Sequence, residues 1–118
     1  MSESNRDKGK ALARTILKGT PPGARVPKKW VNYSIDHLFG DVWQGEELDF
    51  QQRSMITCAT LVALNREAEQ EIHFRAARNL GLEREALEAV IIHVAHYAGW
   101  PCGASAFRVL NEVWPEED

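Results

Sequence analysis

Glu69 and His73 form a pair whose residue types and spacing suit acid–base chemistry. They lie four residues apart, so a helix through this segment places both side chains on one face. A carboxylate beside an imidazole raises the basicity of the ring and fixes which nitrogen carries the proton, as proton transfer requires. Solvated surface pairs have the same spacing and contribute little to stability. Spacing alone therefore favours a surface pair, and a catalytic role needs support from elsewhere in the sequence.

A second group of chemically versatile side chains recurs at helical spacing further along the chain. His93, His96, Tyr97 and Trp100 fall on one side of a predicted helix, away from its aliphatic stripe. A monomeric bundle normally gives such a face to Lys, Glu or Ser, whereas these rings are half apolar and keep a polar tip. The pattern predicts a face that lines a pocket, packs against another subunit, or does both.

Arg53 and the two cysteines offer less specific signals. Arg53 lies early in a predicted apolar helix, where a guanidinium can bind a carboxylate ligand or form an ordinary surface salt bridge. Cys102 falls in the first turn of a predicted helix, where the dipole favours negative charge, but a small residue at a tight helix junction is the simpler interpretation. Cys58 is expected in the core. No Cys-x-x-Cys pair is present, and free thiols are expected in a reducing compartment.

Metal binding has weak support in the sequence. His93 and His96 are three residues apart and could share an ion, but neither a His-Glu-x-x-His nor a Glu-x-x-His pattern occurs. We therefore predict no metal site.

Helices must position all of these residues, and the sequence predicts about six helices and no strand. Asp49 and Gln52 fit a capping box at the start of the third helix. That helix is apolar or small nearly all round, which predicts burial on every side. Asn65 ends it, and could cap the next helix. The predicted helices cover residues 7–17, 28–39, 49–64, 66–80, 84–98 and 101–113.

Length and composition bound the class of protein. A chain of 118 residues is expected to form a single domain, 1–118, with residues 1–8 flexible. A net charge of −3 without a basic block argues against nucleic acid as a partner. No apolar run reaches membrane-spanning length and no leader peptide is evident, so no membrane partner is expected and the predicted location is the cytoplasm, with export in a folded state left open.

Three ordered blocks resemble the carboxymuconolactone decarboxylase family. They read RSMIT at 53–57 with LVALNR at 61–66, then HFRAARNLG at 73–81, then YAGWP at 97–101 with SAF at 105–107. The resemblance covers residues 43–114. The segment before Trp43 does not match the family pattern, and could shape a different pocket entrance.

The resemblance implies an all-α fold that assembles as a ring-like homo-oligomer, a trimer or hexamer, with active sites near subunit contacts. It also implies a cofactor-free decarboxylase of γ-carboxymuconolactone or a similar carboxylated lactone, working in aromatic catabolism. Alkylhydroperoxidase-like members of the family use a Cys-x-x-Cys pair shortly before the equivalent of His73. Arg66 and Glu69 occupy those two positions here, which favours acid–base chemistry over thiol chemistry.

The resulting hypothesis assigns a role to each candidate residue. His73, poised by Glu69 and assisted by His93, would deliver the proton, and Arg53 would bind a substrate carboxylate or the lactone oxygen. Tyr97, His96 and Trp100 would bind substrate and exclude water. Three alternatives stay open at this point: a related lyase or isomerase acting on another small acid, a thiol-dependent peroxidase using Cys102, and a non-catalytic oligomeric ligand-binding protein.

Overall fold

Six α-helices make up the structure, a computed structural model that describes residues 4–116. A π-helical segment, Ser34–Phe39, continues the second helix, and a 3-10 turn, Val42–Gln44, follows it. No strand occurs within residues 4–116, as the sequence predicts. The helices are α1 (Asn5–Ile16), α2 (Lys28–Tyr33), α3 (Phe50–Ala63), α4 (Glu67–Asn79), α5 (Arg84–Ala98) and α6 (Trp100–Val113).

Side-chain caps and left-handed residues set the helix boundaries. The predicted capping box of α3 is confirmed, because Asp49 accepts from the Gln52 backbone N–H at 2.8 Å and the Gln52 side chain accepts from Asp49 N–H at 2.9 Å. Asn65 follows α3 with φ 57°, a conformation that asparagine tolerates better than most residues. Gly81 ends α4 with φ 92°. Asn65 does not cap α4, because this left-handed turn places Arg66 at the cap position, where its side chain makes no capping bond.

The main core lies between the last four helices. Both α3 and α6 pack against α4 and against α5. The helices α4 and α5 therefore lie on opposite sides of the bundle. The fully buried side chains at its centre include Phe74, Leu87, Ile91 and Leu110.

A smaller second core attaches α1 to the bundle. Leu12 and Ile16 of α1 pack with Trp43 and Ala76. The helix begins at Asn5, so residues 5–8 are helical rather than part of the flexible segment expected from the sequence, whereas residues 1–3 lie outside the described range. Gly9 lets α1 approach the π-helical segment closely, since a Cβ there would lie 1.9 Å from the carbonyl oxygen of Ile35.

One helix differs from its prediction. The sequence of α3 predicts burial on every side, but Ile56 is 52% exposed, and Leu64, just beyond the helix, is 65% exposed. Ser54, Cys58 and Val62 form its buried face. The prediction is wrong for the single chain because α4, α5 and α6 cover only one side of α3. None of the helices in residues 4–116 combines the length and apolar content that crossing a bilayer requires.

Candidate active site

His73 lies on the face of α4 that meets α3. The Cys58 thiol of α3 donates to the backbone carbonyl of His73 at 3.5 Å, which fixes the depth at which this residue sits. The imidazole is half-buried, and its Nδ1 atom is buried without a hydrogen-bond partner among residues 4–116. One ring nitrogen is therefore enclosed by protein, in an environment that disfavours the charged form of the ring.

Burial leaves His73 neutral beside a carboxylate. Burial lowers the pKa of His73 below its ordinary value of 6.5, and the negative charge of Glu69, one turn earlier, partly opposes this effect. The hydrogen bond from Arg66 is the main reason that the pKa of Glu69 lies below its ordinary value. Near neutral pH, the site therefore presents an uncharged imidazole next to an ionised carboxylate.

Arg66 also belongs to this cluster, although the sequence analysis assigns it no role in the site. Its guanidinium Nη2 lies 2.5 Å from Oε1 of Glu69. The spacing of three residues between the two side chains was a usable signal, because it places opposite charges on one helical face. Arg66, Glu69 and His73 thus follow one another along the same side of α4.

His93, His96 and Tyr97 lie on α5 and Trp100 is the first residue of α6, so the predicted aromatic and histidine face continues past the end of α5 and is open to solvent in the single chain. Its four side chains are all exposed, with Tyr97 83% exposed. His93 and Tyr97 pack with ring centroids 5.2 Å apart, and His96 and Trp100 with centroids 5.4 Å apart. Nδ1 of His96 lies 2.7 Å from the carbonyl oxygen of Ile92, which can only accept, so this nitrogen carries the proton.

Two apolar grooves flank this face. One lies between α3 and α5, has a volume of about 460 Å³, and is lined by side chains including Met55, Ile56 and Val90, with His93 at its edge. The other lies between α5 and α6, has a volume of about 420 Å³, and includes Trp100. Either groove could hold the apolar part of a small ligand.

Arg53 lies at the start of α3, where its partners are in the preceding loop. Its guanidinium donates to the backbone carbonyls of Gly45 at 3.1 Å and Leu48 at 3.2 Å, and it lies 3.9 Å from Glu47. These bonds tie the loop before α3 to the helix. A substrate-binding role for Arg53 stays a prediction, and the side chain has a structural role in its present position.

The structure brings Glu69 and His73 together but leaves the α5 residues apart from them. Glu69 and His73 are on α4, His93, His96 and Tyr97 are on α5, and Trp100 begins α6. The two grooves that contain His93 and Trp100 include neither Glu69 nor His73 among their lining residues.

The two cysteines have different surroundings. Cys58 is fully buried, as expected, and burial raises the pKa of its thiol to about 12. Cys102 is half-buried and its Sγ lies 3.8 Å from the carbonyl oxygen of Ala98. Both are free thiols. Within residues 4–116, no three His, Cys, Asp or Glu side chains are grouped closely enough to hold a metal ion.

Comparison with known sequences gives one family match. The sequence profile of the carboxymuconolactone decarboxylase family matches residues 29–112, a range that contains every candidate residue above. Residues 29–42 thus match the family too, which corrects the expectation that the whole segment before Trp43 departs from it.

Two characterised relatives are decarboxylases by name. A 4-carboxymuconolactone decarboxylase from Acinetobacter baylyi is 35% identical over 85 residues, covering 72% of this chain and 63% of that protein. A nitrosuccinic acid decarboxylase from Metarhizium robertsii is 30% identical over 100 residues, covering 85% of this chain and 65% of that protein. The aligned part of this chain thus spans just under two thirds of the length of each relative.

Proposed function

Since the chain belongs to the carboxymuconolactone decarboxylase family, we propose that it is a cofactor-free decarboxylase of a small carboxylated acid. Its proposed substrate is γ-carboxymuconolactone or a similar carboxylated lactone. The names of both relatives support the reaction type. The differing acids in those names leave the choice of substrate to experiment.

The observation that carries the proposal is the environment of His73. A half-buried imidazole with a lowered pKa, next to an ionised carboxylate, can exchange a proton near neutral pH. Glu69 stabilises the imidazolium when it forms and so lets the ring act as an acid. In a surface pair that contributed only to solubility, both ring nitrogens would face water, whereas Nδ1 of His73 is buried.

The reaction needs one proton and a place for one electron pair. As the bond to the carboxylate breaks, CO2 leaves and its bonding electrons pass into an enolate conjugated with the lactone carbonyl. Carbon then takes a proton from the His73 imidazolium, which returns to its neutral form and regains a proton from solvent. Because the substrate's own carbonyl accepts the electrons, no cofactor is required, and the protein supplies orientation, charge and the proton.

The residues of α5 complete the proposed site in an oligomer. In a ring-like trimer or hexamer, His93 and Tyr97 of one subunit would donate hydrogen bonds to substrate bound at α4 of another. His96 and Trp100 would close the pocket against water. Exposed apolar side chains on several helices support such an assembly, among them Ile56, Ile92 and Tyr97.

Turnover by a His73→Ala variant tests the proposal. The wild-type protein is incubated with 4-carboxymuconolactone and, separately, with nitrosuccinic acid, and release of CO2 is measured. We expect the variant to lose at least about a hundredfold in kcat, the usual contribution of a positioned acid. His37→Ala is the matched control, because His37 is an exposed histidine on another helix. Near-normal turnover by His73→Ala would exclude the role.

A further inference from the structure

Arg66 is well placed to act on the substrate, yet the roles above leave it unused. Its side chain is 60% exposed at the start of α4, and its one ionic partner among residues 4–116 is Glu69. Glu69 in turn is the carboxylate that acts on His73. The three side chains form a row in which the arginine is the most accessible group.

Other arginines of the bundle are committed elsewhere. Arg75, on the opposite side of α4 from His73, donates to Thr20 Oγ1 at 3.3 Å. The Arg78 guanidinium lies 5.2 Å from the centre of the Trp114 ring. Arg53 binds loop carbonyls at the start of α3. Arg66 is therefore the guanidinium that shares a helical face with His73.

We propose that Arg66 leaves Glu69 to bind a carboxylate that the substrate keeps through the reaction, and that this exchange loads His73 with its proton. The inference rests on the proposed decarboxylase function. A guanidinium on the departing carboxylate would stabilise the reactant more than the transition state, because the charge disappears as neutral CO2 forms. The group bound by Arg66 is therefore a second carboxylate, and the substrate class is a dicarboxylic acid.

The proton loading follows from the charge that Arg66 releases. While Arg66 lies 2.5 Å from the Glu69 carboxylate, its positive charge offsets part of the attraction between Glu69 and a protonated His73. Burial then keeps the ring neutral although Glu69 acts against it. Once the guanidinium turns to the substrate, the carboxylate of Glu69 acts on His73 without a counter-ion. The ring then takes a proton from solvent and later gives it to the carbon that has lost CO2. Substrate arrival thus prepares the acid that the reaction consumes.

Charges on the neighbouring helices do not duplicate this arrangement. The helix α3 meets His73 with the Cys58 thiol. From α6, Arg108 reaches α4 at Glu67, with which it forms an ion pair. Arg14 of α1 and Lys18, just after that helix, lie beside Asn79 at the far end of α4. Glu69 is the charged group that raises the pKa of His73.

A histidine titration by NMR tests the exchange with succinate as the probe and neutral succinamide as its control. His73→Asn identifies the resonance. In the wild-type protein, saturating succinate should raise the pKa of His73, and succinamide should not. In Arg66→Gln, the pKa should already be higher than in the wild type before any ligand is added, and succinate should leave it unchanged. No effect of succinate on the wild type, or an equal effect on Arg66→Gln, overturns the inference.

Arg108→Gln is the matched control for this titration. Arg108 is 59% exposed and pairs with a first-turn carboxylate of α4, as Arg66 does, but its partner is Glu67, which lies on another face. This variant should respond to succinate as the wild type does. If Arg108→Gln also loses the response to succinate, the response depends on the overall positive charge of the protein, and the specific role of Arg66 is contradicted.

Kinetics separate this inference from the proposed function. With a dicarboxylic substrate that the wild type decarboxylates, Arg66→Gln should raise KM about 10- to 100-fold, the usual value of a hydrogen bond to a charged group. The alkaline limb of kcat/KM should move to higher pH, because His73 holds its proton more tightly in the free variant. If KM and the pH profile of Arg66→Gln equal those of the wild type, the inference about Arg66 is wrong, but the proposed decarboxylase function is unaffected. If the wild type turns over neither acid, the proposed function fails, and the titration still decides the role of Arg66.

Discussion

The Nδ1 atom of His73 has no compensating hydrogen bond in the part of the chain that the structure describes. Burial lowers the pKa of this imidazole below 6.5, so on acidification the unfolded chain takes up its proton before the folded protein does. Stability that depends on the neutral ring is therefore complete above the unfolded pKa. It is lost as the pH falls from there through the lower, folded pKa.

The free energy of unfolding is thus expected to fall more steeply with acidification in the wild type than in His73→Leu. Urea unfolding at a series of pH values between about 7 and 5, where histidines titrate, measures the two slopes. His37→Leu, which changes an exposed ring, should keep the wild-type slope. Parallel slopes for the wild type and His73→Leu would contradict the link between burial and protonation.

Part of the candidate site is predictable from the sequence for a simple physical reason. Glu69 and His73 share a helical face, and helical spacing is visible in the sequence. Arg66 obeys the same rule, but the family resemblance draws attention to it only as the residue at a cysteine position. The partners of Arg53 were not predictable, because they are loop carbonyls at Gly45 and Leu48 whose positions follow no period. Local spacing predicts neighbours within a helix and not contacts made by loops.

Among the helices, the capping box of α3 is a strong local signal. Asp49→Ala removes both the side-chain acceptor and the reciprocal arrangement with Gln52. We expect this change to lower the free energy of unfolding by about 1 kcal/mol, measured by urea unfolding. Glu83→Ala is the control, because Glu83 precedes α5 without making a side-chain capping bond. Equal losses for the two variants would show that the box contributes nothing specific.

The crossing of α1 over the π-helical segment depends on a missing side chain. Alanine normally favours a helix over glycine, but a Cβ on Gly9 would collide with the Ile35 carbonyl. We expect Gly9→Ala to lower the free energy of unfolding by about 2 kcal/mol, as overpacking of a tight contact does. Gly23→Ala, with no atom within 4 Å of the added Cβ, should change it little. A stabilised Gly9→Ala protein would mean that α1 can move away without loss.

The positions of the helices along the chain are largely predictable from the sequence, but which of their faces are exposed to solvent is not. Asn65 and Gly81 end their helices as their conformational preferences indicate. Hydrophobic content, however, cannot tell a face buried within one chain from a face that another chain could cover. This ambiguity explains why Ile56 of α3 is exposed although its helix reads as wholly apolar.

At the scale of the whole molecule, the proposed oligomer has a direct test. Tyr97 projects from α5 and is 83% exposed, so a charge there should not disturb the core of the chain. If this face joins subunits, Tyr97→Glu should shift the mass measured by light scattering toward the monomer and lower turnover with it. Lys10→Glu, an exposed change on α1, should leave the mass unaltered. A Tyr97→Glu protein that keeps the wild-type mass would remove α5 from the interface.

The all-helical architecture could be predicted from the sequence, but the relation between its helices could not. The periodicity of the sequence shows which residues share a face of α4 and which share a face of α5, but it treats each helix separately. Which helices pack together depends on the complementarity of many side chains at once, and here α3 and α6 separate the two. The sequence therefore could not show how the candidate residues on α4 and those on α5 lie relative to one another.

This separation has a consequence for how the protein can change. Glu69 and His73 on the one hand and the open aromatic face on the other are carried by different helices, and α4 and α5 each pack against α3 and α6. In the proposed function, His96 and Trp100 close the pocket without taking part in proton transfer. A mutant library at these two positions is therefore the economical route to new acids, with Glu69, His73 and Tyr97 held constant.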